Sequence, residues 1–541
     1  MRIMDLAEAI GDDVIEALGD LTYEPSCVAN DHRKVTGGGL FVCVKGFVAD
    51  GHGFAPGAFA NGAAVLVSQK PFGELDLPRN AAPDGGAPDT AEPDSDIPDA
   101  TGALRGPLGE TTRLRAFLRV RDSRRALAAA AHLYYNEPTK RMLLAGVTGT
   151  KGKTTTVYMI RSILAATGLK CGMLGTIEND VGGEIVPATA TTPESVDLAA
   201  MFSAMAAHGC GHAVMETSSQ GLALSRVDFC DYDVGVFTNL YNDHISPHEH
   251  ADANEYFSAK LKLFSMCKKA VINADIEECD AVKDAFHKNG GGGAVLTYSA
   301  DEAGGGHTAA DVRASGIELV YDGSACTRFH IETPWFSGPL TVGLPGRYNI
   351  SNALAAVSVC GLWGVPFEAV RDGLRRVCVR GRTQSVDGGQ DFTVLVDYAH
   401  NAASLSALLH MLREYNFHSI TTVFGCGGNR ARDRRFEMGE TSGKLSGFTV
   451  ITSDNPRGED PRAIMADIEI GLLRTAGQYI MIEDRLEAIR YAIDRAGKDS
   501  LVLIAGKGHE TEQEFADRTI HFDDAGVALE LLRNKKNPHY T

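Results

Sequence analysis

The chain has 541 residues, of which 44% are hydrophobic and 23% charged, a composition typical of globular proteins and unlike that of disordered or collagen-like chains. Its formal net charge of -18 argues against a nucleic-acid partner or an anionic membrane surface, because both require a contiguous basic patch. The sequence has neither the basic and then apolar order of a secretory signal nor an apolar run of the roughly 18 residues that cross a bilayer. We therefore expect a cytoplasmic protein without membrane insertion. We also expect a monomer.

The cysteines suggest no covalent framework. Eleven cysteines are scattered along the chain without a C-x-x-C pair, and their number is odd. This pattern predicts reduced thiols and gives no sign of a disulfide scaffold or a zinc ribbon.

A proline-rich segment interrupts the N-terminal part of the chain. Pro83, Pro88, Pro93 and Pro98 recur every five residues, and each is followed by an aspartate. Such a segment has too few apolar residues to pack a core. We predict a disordered surface insertion at about residues 73–113.

Alternating strands and helices begin near Met142. The apolar runs MLLAGVTGT, AVMETSS, VGVFTNL and AVINADI each end in a polar cluster, and residues 157–167 and 195–208 have helical spacing between them. This alternation predicts parallel strands with crossover helices, whose ligands bind at the carboxyl ends of the strands. A second series, VLVDYAH, TTVFGCGG, FTVITSDNPR and LVLIAGKGHE, predicts another α/β domain with its functional edge toward the same cleft.

A glycine-rich loop follows the first of these strands. In LLAGVTGTKGKTTTVYMI, an apolar strand leads through Gly149 and Gly152 to Lys153 and Thr154, which open a helix. Glycines allow backbone N–H groups to face phosphate oxygens, the lysine adds charge, and a threonine hydroxyl can bind Mg²⁺. The loop is shorter than G-x-x-x-x-G-K-[ST], because Val147 stands where the first glycine would fall. The predicted ATP-binding residues of this loop are Gly149, Thr150, Lys151, Gly152, Lys153, Thr154 and Thr155.

The motifs GTKGKTTT, ETSSQGL, DNPR and GKGHE, occurring in this order, resemble those of the Mur ligase family over about residues 35–513. The resemblance implies an α/β fold of three domains. These are a UDP-binding domain at 1–139, a central P-loop ATPase domain with a parallel sheet at 140–377, and a Rossmann-like amino-acid-binding domain at 378–541. The family's D-S-R in the first domain reads Asp31-His32-Arg33 here. The serine that contacts the UDP group in the family is therefore replaced by His32, and the resemblance does not assign this contact.

The resemblance also implies a reaction. Members of the family use ATP and Mg²⁺ to convert a peptide carboxylate into an acyl phosphate, which an amine then attacks in the synthesis of cell-wall precursors. The resemblance assigns catalytic roles to Lys153, Glu216, His244 and Lys260. It assigns metal binding to Thr154, Glu216, His244 and Lys260. The family carbamylates the lysine at Lys260 with CO₂. The pattern SAKLKLF alone instead predicts that Lys260 lies on the surface. Lys262, in the same pattern, is an alternative candidate for the carbamylated lysine.

Further contacts follow from the same resemblance. Asn349, Asn352, Arg382 and Asp397 match positions that contact the nucleotide, and contacts from a mobile domain would make closure a condition for catalysis. The residues that match contacts to the UDP-muramoyl dipeptide are Thr191, Thr192, Ser218 and Arg226, with Leu224 where relatives often have glutamine.

The attacking amine is predicted from ITSDNPRGEDP. Arginine binds carboxylates with two parallel hydrogen bonds, and diaminopimelate has a terminal carboxylate that lysine lacks. Arg457 therefore favours meso-2,6-diaminopimelate. The remaining amino-acid contacts match Arg430, Asp454, Asn455, Gly506 and Glu510.

The implied partners are small molecules: UDP-N-acetylmuramoyl-L-alanyl-D-glutamate, the diamino acid and ATP. NDHISPHEHADANEYF and HETEQ depart from the family's R-D-H-L-D-x-H and H-E-D-Y-Q. A ligase for L-lysine or another amine, a folylpolyglutamate-type ligase and a catalytically silent nucleotide-binding paralogue stay open. The last would be expected to lack one of the four catalytic residues, and all four are present.

Overall fold

A computed structural model describes residues 1–47, 49–78, 81–83, 113–241, 245–246, 249–288, 292–301, 310–321 and 325–536. The chain forms two compact units, here called the first and the second unit. The first comprises Met1–Thr150, Lys170–Ala270 and Asp280–Ala294, and the second comprises Lys151–Leu169, Val271–Cys279 and Val295–Thr541. Most of the predicted insertion, residues 84–112, lies outside the described residues.

The first unit begins with a five-stranded sheet of order β1-β5-β4-β3-β2, in which only β1 runs antiparallel to its neighbour. Its elements are α1 (Ile3–Ile10), β1 (Val14–Gly19), β2 (Val28–Ala29), β3 (Gly39–Val42), α2 (Ala55–Ala60), β4 (Ala63–Ser68), β5 (Ala116–Val120) and α3 (Ser123–Tyr134). Alternate residues of β4 enter two cores: Val65 and Val67 pack with α1 and α3, whereas Leu66 packs with α2. The sheet is therefore covered on both faces.

A second sheet of the first unit follows the predicted alternation. It contains β6 (Leu143–Thr148), β7 (Cys171–Leu174), β8 (Glu178–Asp180), β9 (Ile185–Pro187), β10 (His212–Glu216) and β11 (Tyr232–Phe237). The order is β11-β6-β10-β7-β8-β9; the first four strands are parallel, and β8 and β9 extend the sheet antiparallel. Its helices are α5 (Ser195–Ala207), α6 (Ser219–Ala223) and α7 (Ala253–Leu261). The predicted parallel strands are confirmed.

The second unit contains the helix that follows the glycine-rich loop, α4 (Lys153–Ala166). Along the chain, β12 (Cys267–Asn273) and α8 (Cys279–Lys288) cross between the units. The second unit continues with β13 (Val295–Ser299), β14 (Val312–Tyr321), β15 (Ala325–Glu332), β16 (Ser337–Val342), α9 (Tyr348–Leu362) and α10 (Phe367–Arg376). Helix α4 packs on α9 and α10.

The C-terminal sheet of the second unit has the order β17-β18-β22-β19-β20-β21, parallel except at β17. Its elements are β17 (Gln384–Ser385), β18 (Thr393–Asp397), α11 (Ala402–Arg413), β19 (Ile420–Phe424), α12 (Asp433–Leu445), β20 (Phe448–Ile451), α13 (Pro461–Leu472), β21 (Tyr479–Met481), α14 (Arg485–Arg495), β22 (Leu501–Ala505) and α15 (Asp524–Lys536). A hairpin of β23 (Glu512–Glu514) and β24 (Thr519–His521) lies between β22 and α15 in the chain.

Two apolar cores cover this C-terminal sheet. Leu395 of β18 packs with α11, α12 and α13, whereas its neighbours Val394 and Val396 pack with α14 and α15. The strands therefore carry apolar residues on both faces, as a parallel sheet between two helix layers requires. The α/β class is confirmed. Among the described residues, no helix has the length and apolar character needed to cross a membrane.

Candidate active site

The glycine-rich loop connects β6 to α4 and depends on two glycines. Gly149 and Gly152 have φ of +140° and +85°, which side-chain-bearing residues rarely adopt. A Cβ on Gly149 would lie 2.0 Å from Thr238 Oγ1, and a Cβ on Gly152 would lie 2.3 Å from Asn352 Oδ1. Only glycine fits this backbone.

The segment after β11 holds the first half of the loop. Thr238 N donates to Thr148 O at 3.0 Å, and Thr150 N donates to Asn239 O at 3.0 Å. Thr150 Oγ1 in turn accepts from Tyr241 N at 3.0 Å. The loop backbone is thus fixed before a ligand binds.

The second half of the loop leads into the N-terminus of α4. Lys151 is exposed in the turn, and Lys153, Thr154 and Thr155 form the first turn of the helix. The first N–H groups of a helix have no acceptor within the helix, and its dipole favours anions there. This backbone fits the phosphates of ATP, with Lys153 as the positive side chain.

Lys260 is buried, so the surface position expected from its helical pattern is wrong. Only 1% of the residue is exposed, and its Nζ donates to Gly149 O at 2.9 Å. The same nitrogen lies 4.2 Å from the ring centroid of Tyr256, whose hydroxyl donates to Thr150 Oγ1 at 3.1 Å. Lys262, the rival, is exposed. Tyr256 was missed, although its position four residues before Lys260 on one helix was a usable signal.

Glu216 ends β10 and is buried to 1% exposure. Its Oε1 accepts from Thr176 N at 2.8 Å, and its Oε2 lies 3.1 Å from the Thr176 hydroxyl. Carboxylate oxygens suit Mg²⁺, which usually binds one or two carboxylates together with substrate phosphates. No group of three or more His, Cys, Asp or Glu side chains among the described residues could hold a metal ion, and His244 lies outside them. The single carboxylate of Glu216 fits a Mg²⁺ whose other ligands come from the phosphates of ATP and from water.

Four predicted substrate residues meet beside Glu216. Thr192 Oγ1 donates to Glu216 O at 2.9 Å and accepts from Ser218 N at 3.0 Å. Arg226 Nη1 donates to Thr192 O at 3.0 Å, and Thr191 Oγ1 lies 3.1 Å from the Thr176 hydroxyl. The structure therefore brings Thr191, Thr192, Ser218 and Arg226 to one strand end.

Two predicted nucleotide contacts lie on the first turns of α9. Asn349 Nδ2 donates to Pro345 O at 2.7 Å, and Asn352 Nδ2 donates to Asn349 Oδ1 at 3.1 Å. Both side chains are buried, and Asn352 occupies the space that a side chain at Gly152 would need.

The other two predicted nucleotide contacts surround the end of β18. Asp397 accepts from Thr383 N at 2.7 Å and from Ala399 N at 2.9 Å. Burial raises the pKa of the Asp397 carboxyl, against the opposing effect of these hydrogen bonds. The Arg382 guanidinium lies 5.1 Å from the ring centroid of Tyr398.

The predicted amino-acid residues form a hydrogen-bonded network. Asn455 Nδ2 donates to Glu510 Oε2 at 2.8 Å, while its Oδ1 accepts from Lys507 Nζ at 3.0 Å and from Glu514 N at 3.1 Å. Lys507 is completely buried and also lies 3.3 Å from Glu510 Oε2. Lys507 was missed as a site residue, although it lies within the GKGHE motif.

Arg457 already has a carboxylate partner in the protein. Its Nε donates to Glu514 Oε2 at 2.8 Å, its Nη1 to Gly428 O at 3.0 Å, and its backbone N to Glu514 O at 3.0 Å. These bonds hold Arg457 in a left-handed backbone conformation with φ of +51°. The guanidinium is therefore pre-oriented, and one edge of it is partly occupied.

Asp454 and Gly506 are packed against each other. A Cβ on Gly506, whose φ is +109°, would lie 2.7 Å from Asp454 Oδ2. Arg430 is exposed on the loop after β19.

A buried ion pair supports the same loops and has no signal in the sequence. Arg485 and Asp524 are fully buried, and Nε and Nη2 of the arginine each lie 2.7 Å from an aspartate oxygen. Arg485 also donates to Ser453 O at 3.3 Å and to Ala505 O at 3.1 Å. These carbonyls directly precede Asp454 and Gly506, so the pair fixes the starts of both loops.

Three family models match the chain in succession. They describe the "Mur ligase family, catalytic domain" at residues 26–92, the "Mur ligase middle domain" at 147–360 and the "Mur ligase, glutamate ligase domain" at 381–508.

Full-length relatives match as well. A Caldanaerobacter subterraneus protein is 38% identical over 533 residues, which cover 98% of this chain and 99% of the relative. An Alkaliphilus metalliredigens protein is 39% identical over 537 residues, which cover 99% and 98%. Both are named UDP-N-acetylmuramoyl-L-alanyl-D-glutamate--2,6-diaminopimelate ligase. A solved structure with the same name has a TM-score of 0.69 and 26% identity and covers all of both chains.

Proposed function

Since the chain belongs to the Mur ligase family, we propose that it is the ATP-dependent ligase that joins meso-2,6-diaminopimelate to UDP-N-acetylmuramoyl-L-alanyl-D-glutamate in peptidoglycan precursor synthesis. The observation that best supports this proposal is the hydrogen-bonded network around Arg457 and Asn455 at the ends of the C-terminal strands. It offers a cation for a terminal carboxylate beside the acidic groups Asp454 and Glu510, which suit an amine.

The proposed reaction forms one amide bond. A carboxylate oxygen of the peptide attacks the γ-phosphorus of ATP and ADP leaves. The amine nitrogen then attacks the acyl carbon, phosphate leaves, and the nitrogen loses a proton. The loop N–H groups and Lys153 would hold the phosphates in line for this transfer. Bound Mg²⁺ would neutralise phosphate charge, and we assign Thr154, Glu216 and His244 to it.

We also propose that Lys260 carries a carbamate formed with CO₂. Carbamylation would replace the lysine cation by an anion whose oxygens could bind the metal. Its burial against Gly149 and Tyr256 supports this assignment. In Lys260→Ala we expect turnover to be lost while folding is retained, with Lys262→Ala, on the same segment and exposed, close to wild type. Labelled bicarbonate should give a carbamate NMR signal in the wild type and in the Lys262 variant. Activity retained in Lys260→Ala would rule the carbamate out.

The substrate assignment is tested by ADP release with UDP-N-acetylmuramoyl-L-alanyl-D-glutamate and a panel of amino acids. We expect release to require the nucleotide-linked dipeptide and to be stimulated by meso-diaminopimelate far more than by L-lysine. Equal stimulation by lysine, or stimulation by neither amino acid, would contradict the proposal. Lys153→Ala is the matched negative control, because it removes the phosphate-binding charge.

The three-domain division at 1–139, 140–377 and 378–541 belongs to the same proposal. It is supported by the three successive family matches, one within each range. We further propose a monomer that acts in the cytoplasm, where ATP is available.

A further inference from the structure

A partly buried arginine of the first unit has no ion-pair partner among the described residues. Arg124 lies in the first turn of α3, just after β5, and its Nη2 donates to Lys45 O at 2.8 Å. Lys45 follows β3, so both residues lie at the carboxyl edge of the parallel strands of the five-stranded sheet. Parallel sheets bind their ligands at this edge. The guanidinium uses one donor on a neutral carbonyl and keeps the others for a ligand.

A second arginine and one carboxylate lie near Arg124. Arg226 Nε is 3.5 Å from Glu194 Oε2, and its Nη1 donates to Thr192 O at 3.0 Å. Burial lowers the pKa of Arg124; Glu194 opposes this shift, whereas the Arg226 cation adds to it. Asp122, the other acid near Arg124, accepts from backbone N–H groups at the start of α3. Two arginine side chains therefore share one carboxylate side chain, which favours an anionic ligand.

Arg226 joins this cluster to the predicted peptide site. Thr192, whose carbonyl accepts from Arg226, donates through its hydroxyl to Glu216 O at the end of β10. The two arginines therefore connect two carboxyl edges, that of the five-stranded sheet and that of the sheet containing β10. A ligand that reaches both edges passes the guanidinium groups with its middle part.

The substrate of the proposed function has this layout. It carries uridine at one end, the peptide at the other, and an anionic diphosphate and a sugar between them. Arginine binds phosphate oxygens with two parallel hydrogen bonds. We propose that Arg124, together with Arg226, binds the diphosphate of the nucleotide-linked dipeptide. This inference rests on the proposed function, and it assigns a residue of the N-terminal domain to the diphosphate.

Two other arginines of the N-terminal domain are less suited to this role. Arg33 donates from Nε and Nη2 to the two carboxylate oxygens of Asp31, at 2.9 and 2.7 Å. Arg125 forms an ion pair with Asp13. Each of these cations is neutralised by its own carboxylate, whereas Arg124 is not.

The test compares two ligands that differ only in the diphosphate. Dissociation constants of UDP and uridine are measured by ligand-observed NMR on the full-length protein, with its ATP site filled by a non-hydrolysable ATP analogue and Mg²⁺. We expect wild type to bind UDP more tightly than uridine. In Arg124→Gln the dissociation constant for UDP should rise about tenfold or more, as the loss of a bond to a charged group implies, while that for uridine stays unchanged. Arg124→Lys, which keeps the charge, should give an intermediate value for UDP.

The uridine measurement separates phosphate binding from a structural role. If Arg124 only held the loop at Lys45 in place, Arg124→Gln would weaken UDP and uridine equally, and the proposal would be overturned. An unchanged UDP affinity would also overturn it. Arg115→Gln, at an exposed arginine just before β5 and thus at its amino end, is the matched control and should change neither constant. UDP binding that depends on Arg124, in a protein that ligates no amino acid to the dipeptide, would instead contradict the proposed function.

Discussion

The nucleotide loop and the amino-acid network solve recognition in opposite ways. In the proposed function the loop would bind through its backbone, and its requirement is space: glycines at 149 and 152 where any side chain would collide. The network would bind through side chains from two loops about 50 residues apart, and its requirement is mutual hydrogen bonding among buried and partly buried polar groups. A site of the first kind fails when an atom is added, whereas one of the second kind fails when an atom is removed.

The largest effect is expected from adding one methyl group to the loop. In Gly149→Ala the Cβ would collide with Thr238 Oγ1, so the N–H groups could not keep their positions, and kcat/KM for ATP should fall by about a thousandfold. Gly183→Ala is the control, since Gly183 also has positive φ, of +107°, but a Cβ added there would meet no atom within 4 Å. Steady-state kinetics of both variants decide whether space, rather than backbone strain, is the requirement. Equal losses would refute the distinction.

Removing a charge beneath the network should mainly cost stability. Asp524→Asn leaves the fully buried Arg485 incompletely paired, and we expect the free energy of unfolding to fall by about 3 kcal/mol. Urea denaturation measures this change. The exposed pair of Asp517 and Arg518 supplies the control, because Asp517→Asn should cause no measurable loss. A similar stability for the two variants would show that the buried pair is dispensable.

Removing the buried amine of the network should affect amino-acid binding. Lys507→Met removes one of the two donors to Asn455 Oδ1 and the cation that faces Glu510, so the KM for the diamino acid should rise about thirtyfold, with a smaller change in the KM for ATP. Lys498→Met, at an exposed lysine, is the matched control. Equal rises in both KM values would contradict a specific role of Lys507 in amino-acid binding.

The smallest effect concerns acid stability of the unit that contains Gly149. Burial lowers the pKa of His132 to about 4. Below an unfolded pKa of about 6.5, only the unfolded chain takes up this proton, so stability is lost as the pH falls from there toward 4. Between pH 7 and 5.5 the contribution is about 1 kcal/mol. On acidification from pH 7 to 5.5, the free energy of unfolding of His132→Gln should fall by about 1 kcal/mol less than that of wild type, measured by urea denaturation at both pH values. His418→Gln, at an exposed site, should follow wild type. An unchanged acid dependence in His132→Gln would contradict the assignment.

The strands and the glycine-rich loop could be predicted because their signals are local. Apolar runs ending in polar clusters became β6, β10, β11 and β12, and the glycine spacing defined the turn before Lys153. Lys260 could not be placed from its pattern, because a lysine in a mixed helix is usually solvated. Its burial depends on Gly149 O, more than 100 residues earlier in the chain.

By itself, the sequence determined the α/β class, the phosphate loop and the residues at the strand ends, since these follow from periodicity and from the conformational freedom of glycine. The tertiary structure alone decided which polar groups share hydrogen bonds: Glu216 with Thr176, Lys507 with Asn455, Arg457 with Glu514, and Arg485 with Asp524. Such pairs join residues that are distant in the chain, and hydrogen-bond geometry exists only once the fold has brought their side chains within about 3 Å of each other.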